Sequence, residues 1–458
     1  MSSFQIVNPA TGIVERTYET ASDAAVGDAL ARAHAAFPSW RETPVAQRAA
    51  VLARVAEIYA ERADELAAII TREMGKPVKQ GLGEVGISGA IYAYYAEQGP
   101  GFLADEELTV ATGGSAVVRR APIGVVLGIM PWNYPYYQVA RFAAPNLLLG
   151  NTILLKHAPS CPESASVMEE IFHEAGLPRD AYINVFASEE QVARLIADAR
   201  LQGVSLTGSE RAGAAVAEIA GRHLKRFVLE LGGNDPFIVL DTDDLDGLVR
   251  TAASARMSNA GQACNSPKRM IVVDGLYDDF VAGLETRLAA MEPGDPSDAA
   301  TRFGPLSSEA ALDRVLELVD DARAKGADIR VGGARLDRDG AWMSPTLVTG
   351  VTPDMRLYRE EAFGPVATVY RVRDVDAAVE LANDTPYGLG SSVYTTDWAL
   401  ANEVADRLDA GMVYINAPGG TEPDVPFGGV KMSGIGRELG RYGVDEFANK
   451  KLVRAPKR

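Results

Sequence analysis

A short apolar run, Ile123-Gly124-Val125-Val126-Leu127-Gly128-Ile129-Met130, lies between Pro122 and Pro131. Further apolar runs follow it, separated by segments with helical spacing, at residues 152–155, 182–186, 204–206 and 227–229. Short buried strands that alternate with helices predict βαβ units and a parallel sheet covered on both faces. Because ligands of such sheets bind at the carboxyl ends of the strands, we expect the chemistry in the loops after Met130, Leu155 and Leu206.

The rest of the chain is arranged around this predicted sheet. Helical spacing covers residues 22–99, and a second α/β section runs from about residue 232 to residue 432. Residues 116–120 read as an exposed strand, which suits either an intersubunit arm or an ordinary edge hairpin. The tail from Tyr442 is charged, and such a tail is disordered unless it docks on another element.

Composition restricts the class of protein. A chain of 458 residues is too long for one hydrophobic core, so two or three domains are expected. Its formal net charge of −17 argues against nucleic acid as a partner and favours a small diffusible substrate. The absence of a signal-peptide pattern, and of any apolar run of roughly 20 residues, predicts a cytoplasmic protein with no membrane partner. The cysteines are too few for a disulfide framework, and the histidines lack metal-ligand spacing, so no metal is predicted.

Cys264 ends a run of small residues, 254–263, and does not lie in a bulky apolar stripe. A thiol in such a place is a candidate nucleophile. The alternative from this segment alone is a small buried hydrophobic residue, which is the usual role of a free cysteine.

Three other segments carry groups that nucleophilic chemistry needs. Asn133 lies among prolines and aromatics after the first parallel strand, where its amide could donate in an oxyanion hole. Gly208-Ser209 precedes a predicted helix and would present backbone N–H groups to a phosphate. Glu230 lies between two leucines, where a raised pKa suits a general base. Each segment taken singly also fits an ordinary turn or a surface carboxylate.

Together these residues closely resemble the aldehyde dehydrogenase superfamily, in the order Asn133, Lys156, Gly208-Ser209, Glu230 and Cys264. Residues 360–366 and 426–431 look like two further diagnostic segments of that family, and the resemblance runs from about Asn8 to the C-terminus. It implies an α/β fold with a Rossmann-like, parallel-sheet dinucleotide-binding domain at residues 1–103 and 122–231. A catalytic α/β domain is expected at 232–432, and a small β oligomerisation arm with the C-terminal tail at 104–121 and 433–458.

The resemblance also implies roles for individual residues. Cys264 attacks an aldehyde as thiolate, and the side-chain amide of Asn133 and the backbone N–H of Cys264 hold the thiohemiacetal oxyanion. After hydride transfer to a nicotinamide, Glu230 activates the water that hydrolyses the thioester. The expected cofactor contacts are Pro131, Trp132, Lys156, Pro159, Gly208, Ser209, Leu231, Glu361 and Phe363. The expected substrate contacts are Tyr137, Arg141, Ser258 and Phe427.

Pro159 bears on the choice of cofactor. Many NAD-selective members of the family carry a glutamate three residues after the lysine, where it bonds the 2′-hydroxyl and would repel a 2′-phosphate. This chain has Pro159 at that position. NADP or NAD is therefore expected as cofactor, with NADP accepted or preferred.

Arg141 bears on the choice of substrate. It interrupts an apolar helix eight residues after Asn133, where similar succinate-semialdehyde dehydrogenases place an arginine for the distal carboxylate. The chain resembles a bacterial branch of those enzymes, which implies a role in GABA degradation. Two observations keep alternatives open. Arg141 also fits a structural salt bridge, and Ser258 stands where some members have a second substrate arginine.

The main alternative is therefore a broad-specificity enzyme for other small aldehydes, and a catalytically silent relative is a remote one. The family resemblance further implies a homodimer or a homotetramer. Cys161 precedes a predicted helix start, where a lowered thiol pKa is possible, but with no partner motif it reads as structural.

Overall fold

The structure is a computed structural model that describes residues 4–457, so Met1, Ser2, Ser3 and Arg458 of the predicted terminal segments lie outside the described residues. Its helices are α1 Asp23–Glu42, α2 Val45–Glu61, α3 Ala63–Met74, α4 Val78–Phe102, α5 Pro135–Leu149, α6 Pro162–Glu174, α7 Glu189–Ala197, α8 Glu210–Arg222, α9 Leu245–Met257, α10 Asp274–Ala289, α11 Glu309–Ala324, α12 Arg356–Arg359, α13 Val375–Asn383 and α14 Trp398–Arg407. Its strands are β1 Phe4–Val7, β2 Val14–Tyr18, β3 Glu106–Leu108, β4 Ser115–Pro122, β5 Val125–Met130, β6 Thr152–His157, β7 Tyr182–Asn184, β8 Leu201–Thr207, β9 Arg226–Glu230, β10 Asp235–Val239, β11 Pro267–Val273, β12 Asp328–Val331, β13 Thr346–Thr349, β14 Val366–Val372, β15 Gly390–Tyr394, β16 Met412–Ile415, β17 Gly434–Ile435 and β18 Ala448–Ala455.

The predicted parallel sheet is present as a six-stranded sheet with the order β17-β9-β8-β5-β6-β7. Its strands run parallel except for β17, which pairs antiparallel with β9. Strand β5 begins at Val125 because Gly124 turns the chain with a φ of +136°. Strand β6 extends two residues beyond the predicted run, so Lys156 lies inside the strand and not after it, paired with Ile129 of β5.

Helix α5 is enclosed between this sheet and the N-terminal helices, and all of its residues are buried. Pro135 begins the helix, and Gly150 ends it in the left-handed conformation with a φ of +104°. The helix packs closely on β5, because a Cβ built on Gly128 would lie 2.7 Å from the ring of Phe142. This packing fixes the helix that carries Tyr137 and Arg141.

The second α/β section forms a seven-stranded sheet with the order β12-β13-β14-β11-β10-β15-β16. All neighbouring strands are parallel except the β12–β13 pair. Helices cover both faces of each sheet, which confirms the predicted α/β fold class. Within residues 4–457, no helix is long and apolar enough to cross a membrane.

A three-stranded antiparallel sheet, β18-β4-β3, stands apart from the two large sheets. The charged tail docks here, because β18 pairs with β4 along its whole length from Ala448 to Ala455. Both outer strands keep an open edge within the described residues. Residues 434–435, before the tail, form β17, which pairs with β9 at the edge of the six-stranded sheet and is too short to produce a recognisable pattern in the sequence.

Candidate active site

The nucleophile turn, which we define as residues 258–264, connects α9 to the strand β11. Asn259, Ala260 and Gly261 all adopt left-handed backbone conformations, with φ angles of 52°, 51° and 73°. For an alanine this conformation costs about 1 kcal/mol, so surrounding contacts must hold it. The buried guanidinium of Arg256 does so by donating to the carbonyl oxygens of Gly261, Ala362, Gly364 and Val366 and to the hydroxyl of Ser266.

Cys264 lies where two cavities meet. One cavity, of about 290 Å³, is lined by most of the predicted cofactor residues: Pro131, Trp132, Gly208, Ser209, Leu231, Glu361 and Phe363. The other, of about 390 Å³, is lined by three of the predicted substrate residues: Tyr137, Ser258 and Phe427. Cys264 borders both, so a thiolate there can reach a molecule in either cavity. Lys156, Pro159, Arg141 and Glu230 are absent from both linings.

The thiol of Cys264 is half-buried. Burial raises its pKa to about 12, and the cations of Arg141 and Lys268 oppose the rise. The carboxylates of Glu361 and Glu230 add to it. The resting thiol is therefore protonated near neutral pH, and a base or a further positive charge must act before it attacks.

Asn133 is held against the nucleophile turn by its backbone and its side chain. Its carbonyl oxygen accepts from Lys76 Nζ at 2.8 Å and from Asn259 Nδ2 at 3.0 Å. Its own Nδ2 donates to the carbonyl oxygen of Gln262 at 3.2 Å. Lys76 is fully buried and paired with Glu84, which in turn accepts from the backbone N–H groups at the start of α5. This network gives the amide of Asn133 a fixed direction, as an oxyanion hole requires.

Glu230 ends β9 and is almost fully buried. Within the described residues, neither of its carboxylate oxygens has a hydrogen-bond partner. Burial holds its pKa well above the usual value, the nearby Arg141 cation lowers it and the Glu438 carboxylate raises it. A Cβ built on Gly428 would lie 2.7 Å from Glu230 Oε1, so the loop at 426–429 packs directly on this carboxyl group.

Arg141 is completely buried behind the substrate-side cavity. Its Nε lies 2.7 Å from Glu438 Oε2, although the two atoms are not aligned for a hydrogen bond. Its guanidinium packs on the rings of Tyr137 and Phe427 and donates to the hydroxyl of Tyr137 at 3.1 Å. This geometry favours the salt-bridge alternative, because the guanidinium already has a carboxylate partner and does not line the cavity.

The substrate-side cavity has neutral hydrogen-bonding groups on its wall. The hydroxyl groups of Tyr137 and Thr421 lie 3.1 Å apart, and Thr421 lines the cavity beside Gly420. Ser258 and Asn265 also line it. Arg141 donates to the Tyr137 hydroxyl on this wall but does not itself line the cavity.

The cofactor-side cavity suits a dinucleotide. Ser209 lines the cavity and is the N-cap of α8, where its hydroxyl accepts from the backbone N–H of Ala212, so the positive end of the helix lies at the cavity wall. On the same wall, a Cβ on Gly232 would lie 2.4 Å from Glu210 Oε1 and 2.5 Å from Glu361 Oε2. Only glycine lets the backbone lie this close to both carboxylates. The rings of Phe363 and Trp132, which also line the cavity, meet edge to face at 5.7 Å.

Several functional neighbours gave no signal in the sequence. They are lone charged residues whose roles depend on distant contacts: Lys76, Glu84, Arg256, Lys268 and Glu438. For Cys161 the possible lowering of its pKa is wrong, because burial raises the pKa of this thiol well above its usual value. The predicted helix start beside it is correct, since α6 begins at Pro162.

Comparisons with known proteins agree with this geometry. The sequence matches the aldehyde dehydrogenase family over residues 1–453. It is 55% identical over 452 residues to a succinate-semialdehyde dehydrogenase (NADP+) of Deinococcus radiodurans, covering 99% of this chain and 94% of that protein. It is 44% identical over 449 residues to succinate-semialdehyde dehydrogenase (NADP+) 1 of Mycobacterium tuberculosis, covering 98% of both.

Among solved structures, the chain resembles the succinic semialdehyde dehydrogenase of Streptococcus pyogenes crystallised with NADP+ as the cofactor. The TM-score is 0.97 at 41% identity, and the alignment covers 99% of this chain and 100% of that one. Both the sequence and the fold match over almost the whole length. The chain therefore belongs to the aldehyde dehydrogenase family.

Proposed function

We propose that this protein oxidises succinate semialdehyde to succinate with NADP+, and that it also accepts NAD+. The meeting of the two cavities at Cys264 carries the proposal, because it lets one thiol contact an aldehyde on one side and a nicotinamide on the other. The NADP-dependent relatives support the choice of substrate and cofactor. The net reaction converts an aldehyde, NADP+ and water into a carboxylate, NADPH and two protons.

The mechanism begins with the thiolate of Cys264. The thiolate attacks the aldehyde carbon, and the carbonyl electrons move to oxygen, where the Asn133 amide and the backbone N–H of Cys264 donate to the oxyanion. The nicotinamide, when bound, supplies the hydride acceptor. Glu230 then removes a proton from the water that attacks the thioester, and Cys264 leaves as thiolate. The buried carboxyl of Glu230 suits this task, because no group within residues 4–457 holds it in a hydrogen bond.

The distal carboxylate of the substrate meets neutral donors in this proposal. Tyr137 and Thr421 present hydroxyl groups to the substrate-side cavity, and Ser258 presents a third. Arg141 acts on the substrate carboxylate indirectly, because its guanidinium donates to the hydroxyl of Tyr137. This arrangement differs from direct binding by the guanidinium, and it predicts a weaker charge preference than a bidentate arginine would give.

A broad-specificity aldehyde dehydrogenase is the second candidate. The burial of Arg141 and its pairing with Glu438 favour it, because neither requires a charged substrate. The two candidates differ in one measurable quantity, the ratio of kcat/KM for succinate semialdehyde to kcat/KM for an uncharged aldehyde of similar length.

Pro159 supports the use of NADP+. Its position after Lys156 lacks the carboxylate that would repel a 2′-phosphate, and its carbonyl oxygen instead accepts from the backbone of Gln5 at 3.0 Å. Burial lowers the pKa of Lys156, and the nearby Glu189 opposes this lowering. Lys156 is proposed to contact the adenosine ribose.

The biological setting is proposed as follows. The use of succinate semialdehyde suits a step of GABA degradation, and the free thiols of Cys161 and Cys264 suit a reducing cytoplasm. The exposed three-stranded sheet suits a homodimer or homotetramer. Leu452 and Val453 of β18 support this, because both side chains are exposed on a strand whose outer edge is open within the described residues.

The function is tested by steady-state kinetics with succinate semialdehyde and butanal, each with NADP+ and NAD+. We expect kcat/KM to be highest for succinate semialdehyde with NADP+, and no NADPH from Cys264→Ser. Arg141→Ala should raise KM for succinate semialdehyde more than for butanal, although by less than the loss of a directly bound arginine would. Equal effects on both aldehydes would favour the broad-specificity candidate, and a far higher kcat/KM with NAD+ would refute the cofactor choice.

A further inference from the structure

Lys268 is a buried cation directly beneath the nucleophile turn. It is the second residue of β11, and its side chain is 2% exposed. Its ammonium donates to the carbonyl oxygens of Ala263 at 2.9 Å and Cys264 at 2.5 Å. It also lies 2.8 Å from Glu361 Oε1. An ammonium has three donors, and these three acceptors use all of them.

Glu361 connects this cation to the cofactor-side cavity. Its Oε1 accepts from Lys268 and from the backbone N–H of Gly233 at 3.1 Å, and its carboxylate lines the cavity. Burial raises the pKa of Glu361, and Lys268 is the first group that opposes the rise. Glu210 on α8 also faces this carboxylate and raises its pKa. The Lys268 side chain therefore connects the backbone of Cys264 to the Glu361 carboxylate, which lines the cofactor-side cavity.

The charges around Cys264 come from four elements. Arg141 on α5 and Lys268 on β11 favour the thiolate, whereas Glu230 on β9 and Glu361 after α12 disfavour it. Arg141 is already paired with Glu438. Lys268, in contrast, bonds the carbonyl of Cys264 itself, so it acts on both the position and the charge of the nucleophile.

We propose that Lys268 is a positioning residue that ties the Cys264 turn to the carboxylate of Glu361, so that a cofactor engaging Glu361 also fixes the nucleophile. The inference rests on the proposed function for the role of Glu361 as a cofactor contact. Its physical basis is that a carboxylate engaged by a ribose keeps one orientation. Lys268 then keeps its contact with Glu361, and its ammonium stays in place to donate to the carbonyl oxygens of Ala263 and Cys264.

Alkylation of Cys264 by iodoacetamide, followed by peptide mass spectrometry between pH 6.5 and 10, tests the inference without any aldehyde. In the native enzyme we expect NADP+ to accelerate alkylation. Because the Cys264 thiol is mostly protonated throughout this range, the alkylation rate follows its small thiolate fraction, and Lys268→Met should slow alkylation at pH 8 by about tenfold, as expected for one pKa unit. It should also abolish the acceleration by NADP+.

Glu361→Gln provides the opposite charge change. It should accelerate alkylation at pH 8 in the absence of cofactor, because an anion near the thiol is removed, and it should also abolish the acceleration by NADP+. Structural damage alone would not change the two cofactor-free rates in opposite directions. Acceleration by NADP+ that persists in Glu361→Gln overturns the inference, and this result does not depend on whether Lys268→Met folds.

Lys225→Met is the matched control. Lys225 also donates to two backbone carbonyl oxygens, those of Asp198 and Leu201, but it lines neither cavity at Cys264. We expect its alkylation profile to match the native one. A Lys268→Met profile equal to that of Lys225→Met would overturn the inference. Native enzyme that fails to oxidise succinate semialdehyde would refute the proposed function alone.

Discussion

At the scale of single residues, the protonation of Glu230 decides when the proposed thioester is hydrolysed. Burial places the pKa of this carboxyl well above its usual value. An acid with a raised pKa stays protonated at low pH and becomes a base only as the pH rises. Arg141 and Glu438 act in opposite directions on this pKa, so the Arg141–Glu438 pair tunes the base even though neither residue needs to touch the substrate.

We therefore expect kcat to rise with pH above the usual titration range of a carboxyl group as Glu230 loses its proton, by up to tenfold per pH unit. Glu230→Gln should remove this rise and lower steady-state turnover by about 10²–10⁴-fold, while one NADPH per active site still forms in the first turnover. Stopped-flow absorbance at 340 nm and mass spectrometry of the acyl-enzyme measure both effects. The exposed Glu218→Gln is the control, and a variant that turns over without a burst would contradict the assignment.

At the scale of elements, helix α6 depends on a carboxylate from another helix. Its own N-cap residue, Cys161, makes no side-chain capping bond. Glu73, near the end of α3, accepts from the backbone N–H groups of Glu163 and Ser164 and from the hydroxyl of Ser164. This contact fixes α3 against the start of α6, which follows the strand that carries Lys156.

Glu73→Ala should lower the free energy of unfolding by about 2–4 kcal/mol, because it leaves buried donors unsatisfied.

Burial raises the pKa of Glu73 from 4.5 to about 8, so the folded chain binds a proton that the unfolded chain releases between these values. Native stability should therefore fall as the pH rises through this window, and Glu73→Gln should flatten the slope. Urea unfolding at pH 5 to 9 measures this. Glu170→Ala, an exposed change on α6, should stay within about 0.5 kcal/mol of native.

At the scale of the whole molecule, the three-stranded sheet exposes apolar side chains beside a strand edge that is open within the described residues. Leu452 is 60% exposed and Val453 is 42% exposed, on opposite faces of the edge strand β18. Exposed apolar side chains on an unpaired strand edge favour association with another chain. In the proposed homo-oligomer, a second copy of this chain would pack against the open edge of β18.

The double variant Leu452→Asp, Val453→Asp should therefore shift the molecular mass towards that of one chain in sedimentation velocity experiments. The two introduced carboxylates would oppose burial of positions 452 and 453 between subunits. The backbone pairing of β18 with β4 could remain, because it does not depend on these side chains. Ile13→Asp is the control, since Ile13 is 62% exposed on a different hairpin. A native-like mass for the double variant would show that β18 lies outside the subunit interface.

The sequence by itself determined the fold class and the order of the chemical groups. The alternation of strands and helices predicts a parallel sheet, because a buried strand needs a continuous apolar run and a crossover needs a helix. Asn133, Glu230 and Cys264 occur in the order seen in the aldehyde dehydrogenase family, so the resemblance implied a role for each. The domain boundaries at residues 103, 121, 231 and 432 rest on the same resemblance and stay a prediction.

Only the tertiary structure decided which charge faces which partner. Arg141 could read as a substrate ligand, yet the fold places it beside Glu438, almost 300 residues away, and behind Tyr137. Lys268 carried no signal until the fold placed it between Cys264 and Glu361. Local periodicity reports the face on which a side chain lies. The partner of a buried charge depends on contacts between segments far apart in the chain, which no local pattern records.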